Sequence, residues 1–324
     1  MIKNNCSPNR SNNDGSCFKK TELNNMLNVI EKFNPDVKFD LKDNSSKKQL
    51  WNSVRIGLSK IANPDDWKKC NNEECWPSLC IKKNGKKCTI KFFDLFENKE
   101  EAFEMMMFVF KPKKPEGELK STYGSTVSDV WLSTFDIVFV LKQYEKVYDN
   151  FIFFGPIPGD TLDCFKNKNW CKTTTDPFLK EFKKIDFKNL KKNGKTKIGI
   201  SINLDDHDGP GTHWVAMFID LEINTIEYFD SYGLDKIACN SNKFSMKFET
   251  PKKIKGLIEH FSEKYNLTSK INRYRHQYSD SQCGIYSIYF IVERLAGKSF
   301  EEITEKCIPD SKMKKYRNIF YRSS

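Results

Sequence analysis

Residues 212–231 read THWVAMFIDLEINTIEYFDS. Two apolar runs, Trp214 to Ile219 and Thr225 to Phe229, flank the polar turn Glu222 to Asn224, the pattern of two strands joined as a hairpin. Antiparallel pairing through so short a turn sets the start of the first strand beside the end of the second. His213 precedes the first strand and Asp230 follows the second, so the pairing predicts that an imidazole and a carboxylate meet at one edge of a sheet. A carboxylate there can hold the ring in one tautomer and stabilise its protonated form.

Working outward, the loop Gly209-Pro210-Gly211-Thr212 delivers His213 to the mouth of its strand. Upstream, Ile198 to Ile202 reads as another strand, Phe151 to Phe154 as a short one ended by Gly155-Pro156, and Val130 to Tyr144 as a helix. Downstream, Ile254, Leu257, Ile258, Phe261 and Tyr265 recur with a 3.6-residue period, which predicts an amphipathic helix over Lys252 to Tyr265. A strand over Lys270 to Arg275 then leads to an apolar helix, Cys283 to Leu295. Gly297 suits its C-terminal cap, and Ser299 with Glu302 forms a capping box for the next helix.

The chain has four histidines, at 207, 213, 260 and 276. His260 falls on the amphipathic helix as a packing or surface residue, His207 in the polar loop Asp205 to Gly209, and His276 at the end of a strand. His213 has Asp230 as company, and Cys283 supplies a third member. A cysteine at a helix N-terminus, followed by Gly284 and near an imidazolium, has its thiolate favoured by both neighbours. Gln277, six residues before Cys283, can aim its amide at a developing oxyanion beside the Cys283 backbone N–H. The plain alternative for each is structural: a small core thiol, a turn aspartate, a satisfied histidine.

Residues 1–115 differ in character and are read as a mainly helical accessory domain, with 116–324 as the catalytic domain. Leu23, Met26, Leu27, Val29 and Ile30 recur at helical spacing before the break at Asn34-Pro35. A second amphipathic helix spans Lys48 to Ile61, Cys88 to Leu95 has strand character, and Lys111 to Ser125 reads as a Pro/Gly linker. At 324 residues, 38% hydrophobic and 30% charged, with 26 Phe and 12 Tyr, the chain is neither disordered nor fibrous. No run approaches the roughly 20 apolar residues of a membrane span. Residues 1–20 lack the apolar region of a secretory signal, which predicts an intracellular protein in a reducing compartment with most of its eleven cysteines as free thiols. Cys70, Cys75, Cys80 and Cys88 lack the paired CxxC spacing of a zinc ribbon, and no phosphate-binding glycine loop is present, so no metal and no cofactor is expected. A net charge of +11 permits non-specific contact with DNA.

Thr212-His213-Trp214-Val215-Ala216, Tyr228-Phe229-Asp230-Ser231 and Gln277-x5-Cys283-Gly284-Ile285-Tyr286 resemble the His-Trp, Asp-Ser and Gln-x5-Cys-Gly motifs of the SUMO-protease and adenovirus-protease group of cysteine peptidases. The order His, Asp, Cys is also that group's order. Within the group the resemblance is strongest to the polyprotein-processing proteases of African swine fever virus and related large DNA viruses, through His213 to Ser231, Arg273 to Leu295 and, more weakly, Met313 to Phe320. The resemblance implies an α+β, papain-like fold with nucleophile Cys283, base His213, orienting Asp230 and oxyanion donor Gln277. It further implies that Trp131, in Trp131-Leu132-Ser133, and Trp214 line a narrow channel for a Gly-Gly substrate. The Asn-Asp that follows Trp-Leu in SUMO proteases is absent here. The implied task is cleavage of viral precursor proteins after Gly-Gly during virion maturation, in the cytoplasmic viral factory and the virion. The rivals are a deconjugating isopeptidase acting on a ubiquitin-like modifier, and a basic virion DNA-binding or scaffold protein.

Overall fold

The computed structural model describes residues 5–10, 14–42, 44–81, 90–115, 130–166, 168–234 and 250–322, together with the backbone of 119–120, 126–127 and 237–238. The chain divides into two compact units, Met1–Pro112 and Lys113–Ser324.

The first unit contains helices α1 (Lys20–Phe33), α2 (Lys47–Ile61), α3 (Pro64–Lys69) and α4 (Lys99–Phe108), with 3-10 turns at Glu73–Ser78 and Phe92–Leu95. The apolar stripe of α1, Leu23, Met26, Leu27 and Ile30, is buried against Leu50, Val54 and Leu58 of α2, as the helical period requires. Ser46 and Gln49 close a capping box at the start of α2. Strand character over 88–95 is not realised at Phe92–Leu95, where Phe92, Phe93 and Phe96 pack edge-on in a tight turn; residues 88 and 89 lie outside the described residues, as does most of the linker expected between 111 and 125.

The second unit opens with a short antiparallel pair, β1 (Leu119–Lys120) and β2 (Thr126–Val127), and helix α5 (Thr134–Glu145). It continues with β3 (Phe151–Pro158), α6 (Leu162–Phe165), α7 (Asn169–Thr173), α8 (Pro177–Phe182), α9 (Phe187–Lys192), β4 (Lys197–Asn203), β5 (Trp214–Asp220), β6 (Thr225–Phe229) and β7 (Ile237–Ala238). The chain ends with α10 (Lys252–Tyr265), β8 (Thr268–Ile271), β9 (Tyr274–Arg275), α11 (Cys283–Leu295), α12 (Phe300–Thr304) and α13 (Asp310–Phe320). Among the described residues the main sheet has the order β3-β4-β5-β6-β8, with β4-β5 and β5-β6 antiparallel and the outer pairs parallel.

Every residue of β5 is buried because the strand is covered on both faces. Trp214, Ala216 and Phe218 face α5 and α11, while Val215, Met217 and Ile219 face the core that includes α8 and α10, the period-two alternation of a strand. Two sequence expectations shift. Helix α5 starts at Thr134 rather than Val130, because Ser133 and Asp136 form its capping box and leave Trp131 in the extended lead. The strand expected over Lys270 to Arg275 splits into β8 and β9.

The cysteines depart furthest from expectation. Cys6–Cys17, Cys70–Cys75 and Cys164–Cys171 are disulfides, Cys80 and Cys307 are disulfide-bonded, and among the described residues Cys283 alone is free. The expectation of mostly free thiols rested on chain length and the missing signal, neither of which reports which cysteines fold into contact. No described helix is long and apolar enough to cross a membrane.

Candidate active site

The register of the β5-β6 hairpin pairs Ala216 with Phe229, which leaves His213 and Asp230 at the same sheet end. His213 Nε2 lies 2.7 Å from Asp230 Oδ1, and both side chains are nearly buried. Asp230 is fixed in turn. The same carboxylate oxygen accepts the Tyr232 N–H at 2.8 Å, and the buried Asn272 side chain both accepts the Asp230 N–H and donates to its carbonyl, each at 2.8 Å.

Cys283 is the first residue of α11 and is 4% exposed. Its thiol lies beside the His213 imidazole, near enough to act on the ring's proton affinity. With Nε2 committed to Asp230, Nδ1 is the ring nitrogen left for sulfur. Burial alone would lower the imidazole pKa; the hydrogen bond to Asp230, with that carboxylate's charge and the Cys283 sulfur beside the ring, outweighs it and pushes the value up to about 10. The raised value favours the protonated ring, the form that can later give a proton to a leaving group. Tyr232 stacks on the imidazole with ring centres 4.5 Å apart.

Gln277 is fully buried, and its Oε1 accepts the Ser231 hydroxyl at 2.7 Å. The Ser231 carbonyl accepts the N–H groups of both His276 and Gln277, at 2.8 and 2.9 Å. The amide nitrogen donates to the Ser279 carbonyl at 2.5 Å; an NH₂ carries two hydrogens, so one remains for an oxyanion. Arg275 lies over the Tyr232 ring at 5.2 Å and donates from Nε to the Gln277 carbonyl at 2.7 Å.

Trp131 and Trp214 line, with Cys283, a cleft of about 540 Å³. The Trp214 indole donates to the Leu132 carbonyl at 2.8 Å and the Trp131 indole to the Asp280 carbonyl at 2.7 Å. Gly284 makes this possible. A Cβ at that position would come within 2.9 to 3.1 Å of three Leu132 side-chain atoms, so the absent side chain lets Leu132 pack on the first turn of α11. The other histidines stand apart. His276 is buried, its pKa pushed down to about 4 by that burial, and its Nδ1 accepts the Ile308 N–H at 3.3 Å. His260 stacks on Phe165. His207 is anchored by Asp160. Ser231 and Asn272 escaped the sequence reading; the Asp-Ser dipeptide carried a signal for Ser231, whereas Asn272 reaches Asp230 from a later strand with nothing local to mark it.

A buried thiol at a helix N-terminus, an imidazole between it and a carboxylate, and a fixed amide beside them, on a mixed sheet with helices, define the α+β papain-like cysteine peptidase fold. The family model described as the Ulp1 protease family, C-terminal catalytic domain, matches residues 162–323, half of the sequence, and the chain belongs to that family. It is 30% identical over 206 residues to a thiol protease of Acanthamoeba polyphaga mimivirus, covering 62% of this chain and 59% of the relative. It is 34% identical over 127 residues to a cysteine protease of African swine fever virus, covering 38% and 43%. The chain thus spans less than two thirds of the length of these relatives. A crystal structure of the African swine fever virus protease superposes with a TM-score of 0.51 at 18% identity, covering 99% of this chain and 96% of that one, which extends the likeness of fold to both units.

Proposed function

We propose that this protein is a viral cysteine endopeptidase that cuts precursor proteins after Gly-Gly. The observation that carries the reading is the assembled set: Cys283 and Asp230 on the two sides of one protonated imidazole, with the Gln277 amide held beside them. Cys283 sulfur attacks the scissile carbonyl, and Gln277 with the Cys283 N–H receives the oxyanion. The His213 proton passes to the leaving amine, and the acyl-enzyme thioester is hydrolysed by water. Trp131 and Trp214 narrow the cleft at the residues before the cut, which supports glycine there. The first unit serves to present precursors, and the work is done in assembling virions.

The test is cleavage of Gly-Gly-X and Ala-Ala-X peptides, and of SUMO and ubiquitin fusions, by wild-type protein and Cys283→Ala. Gly-Gly-X is cut, Ala-Ala-X is not, and the variant is inactive but folded. An active Cys283→Ala protein sinks the assignment. The fusions are included because African swine fever virus relatives, 33% identical over 127 residues, bear the name SUMO-1 cysteine protease. Fusions cut far faster than matched peptides would replace the precursor reading with deconjugation.

A further inference from the structure

The cleft that contains Cys283 and both tryptophans continues to His207. This histidine sits in a loop, its side chain 37% exposed, yet it is held from several directions. Asp160, buried just past the end of β3, takes both its ring Nδ1 at 2.7 Å and its backbone N–H at 3.1 Å. The Trp170 indole lies flat on the imidazole, with ring centres 3.8 Å apart and planes 2° from parallel. Trp170 is itself bracketed by the buried Cys164–Cys171 disulfide. A side chain left open to the cleft but fixed this firmly is the arrangement of a preorganised contact residue.

Its surroundings set the sign of what it contacts. Asp176, Asp205 and Asp206 line the same cleft, and among the described lining residues there is no Lys or Arg. Counting Asp160 behind the ring, four carboxylates stand here, with Lys253 on Asp206 at 2.5 Å and His207 on Asp160 at 2.7 Å as the basic side chains that pair with them. The arm is negative in either state of the histidine, within a chain whose net charge is +11. Its place follows from the β4-β5 register. Asn203, the last residue of β4, pairs with Trp214, and Asp205 to His207 follow it by two to four residues in the loop after the strand, so the arm adjoins the tryptophan on the same cleft, beside the place of the Gly-Gly pair.

We propose that His207 is a specificity-determining residue, and that the cleft arm it lines receives a cationic side chain, Lys or Arg, from the third or fourth substrate residue before the cut. The inference rests on the Gly-Gly reading above. His207 offers a fixed ring face and edge to the aliphatic stem and head group, and Asp176, Asp205 and Asp206 supply the attraction.

The experiment measures kcat/KM for Gly-Gly peptides that carry Lys, Arg, Ala or Glu at the third and fourth positions before the cut. It uses the full chain, His207→Ala and the surface variant Asp206→Asn, each checked by circular dichroism. Wild type is expected to prefer Lys or Arg over Glu by about tenfold at low salt, with the ratio shrinking as salt is added. His207→Ala and Asp206→Asn each narrow the ratio to about threefold or less. A merely structural His207 would lower all peptides alike and leave the ratio intact, which overturns the proposal. Equal rates for Lys and Glu peptides in wild type also overturn it while leaving the Gly-Gly reading standing. No cleavage of any Gly-Gly peptide fells that reading, and this inference with it.

Discussion

Asp230, Ser231 and Tyr232 are consecutive, and each touches a different part of the proposed catalytic set: Asp230 the imidazole edge, Tyr232 its face, Ser231 the amide of Gln277. Ser231 decides which end of that amide points where, since a hydroxyl donating to Oε1 leaves only the NH₂ for the oxyanion. Ser231→Ala should therefore lower kcat for peptides about tenfold, less than the 10²–10³-fold expected for Gln277→Ala. Alkylation of Cys283 by iodoacetamide, which forms no oxyanion, should keep its wild-type rate; a parallel fall in both would mean that the site has simply loosened. Asp230 is tested through pH. The folded protein raises the His213 pKa from 6.5 to about 10, so the imidazolium adds stability that is complete below pH 6.5 and fades as pH climbs towards 10. Asp230→Asn removes one of the raising contacts. The alkaline limb of kcat/KM should move to lower pH, and the loss of thermal stability between pH 7 and 10 should shrink; an unmoved limb would show that Asp230 does not set the proton's affinity.

Helix α13 contributes none of the proposed catalytic groups, yet it holds the segment that carries Gln277. Asp310, in its first turn, accepts the N–H groups of Tyr278 and Ser279 at 2.9 Å, fixing the loop after Gln277. Arg317, 1% exposed, donates to the carbonyls of Val130 and Ser281 at 3.0 Å, joining the strand-like lead that carries Trp131 to the entry of α11. Arg317→Met leaves one buried and one part-buried carbonyl without those partners and should cost about 2–4 kcal/mol of stability, read as a lower urea midpoint. An unchanged midpoint would make the clamp redundant. The hairpin and its His213-Asp230 edge, the amphipathic α10 and the apolar α11 were legible because each is written in local periodicity and spacing. Helix α13 registered only as a weak resemblance, since nothing in residues 310–320 announces that its partners lie some thirty and some 190 positions upstream. Its hydrogen bonds are long-range, as are those of Asn272, and local patterns do not encode them. The start of α5 was misplaced for a related reason: the apolar Val130-Trp131-Leu132 continued the helical pattern, and only the Ser133–Asp136 cap ended it.

At the scale of the molecule, each unit has its own hydrophobic core, and disulfides occur in both. Such bonding belongs to oxidising surroundings rather than to the reducing compartment that the sequence predicts. Eight of the nine described cysteines are bridged, so denaturation without reductant should expose at most three of the eleven thiols to alkylation, Cys283 and whichever of Cys88 and Cys239, outside the described residues, is free. Mass spectrometry that finds more than three labelled would overturn the pairing. If the protein works through the Cys283 thiol, as proposed, the bridges give it a divided relation to reductants. A low dose should rescue Cys283 from adventitious oxidation, whereas a high dose should open first the half-buried Cys70–Cys75 bridge and later the buried Cys164–Cys171 beside Trp170. Turnover plotted against dithiothreitol should rise and then fall, and the usual laboratory habit of protecting a cysteine peptidase with excess reductant would slowly dismantle this one.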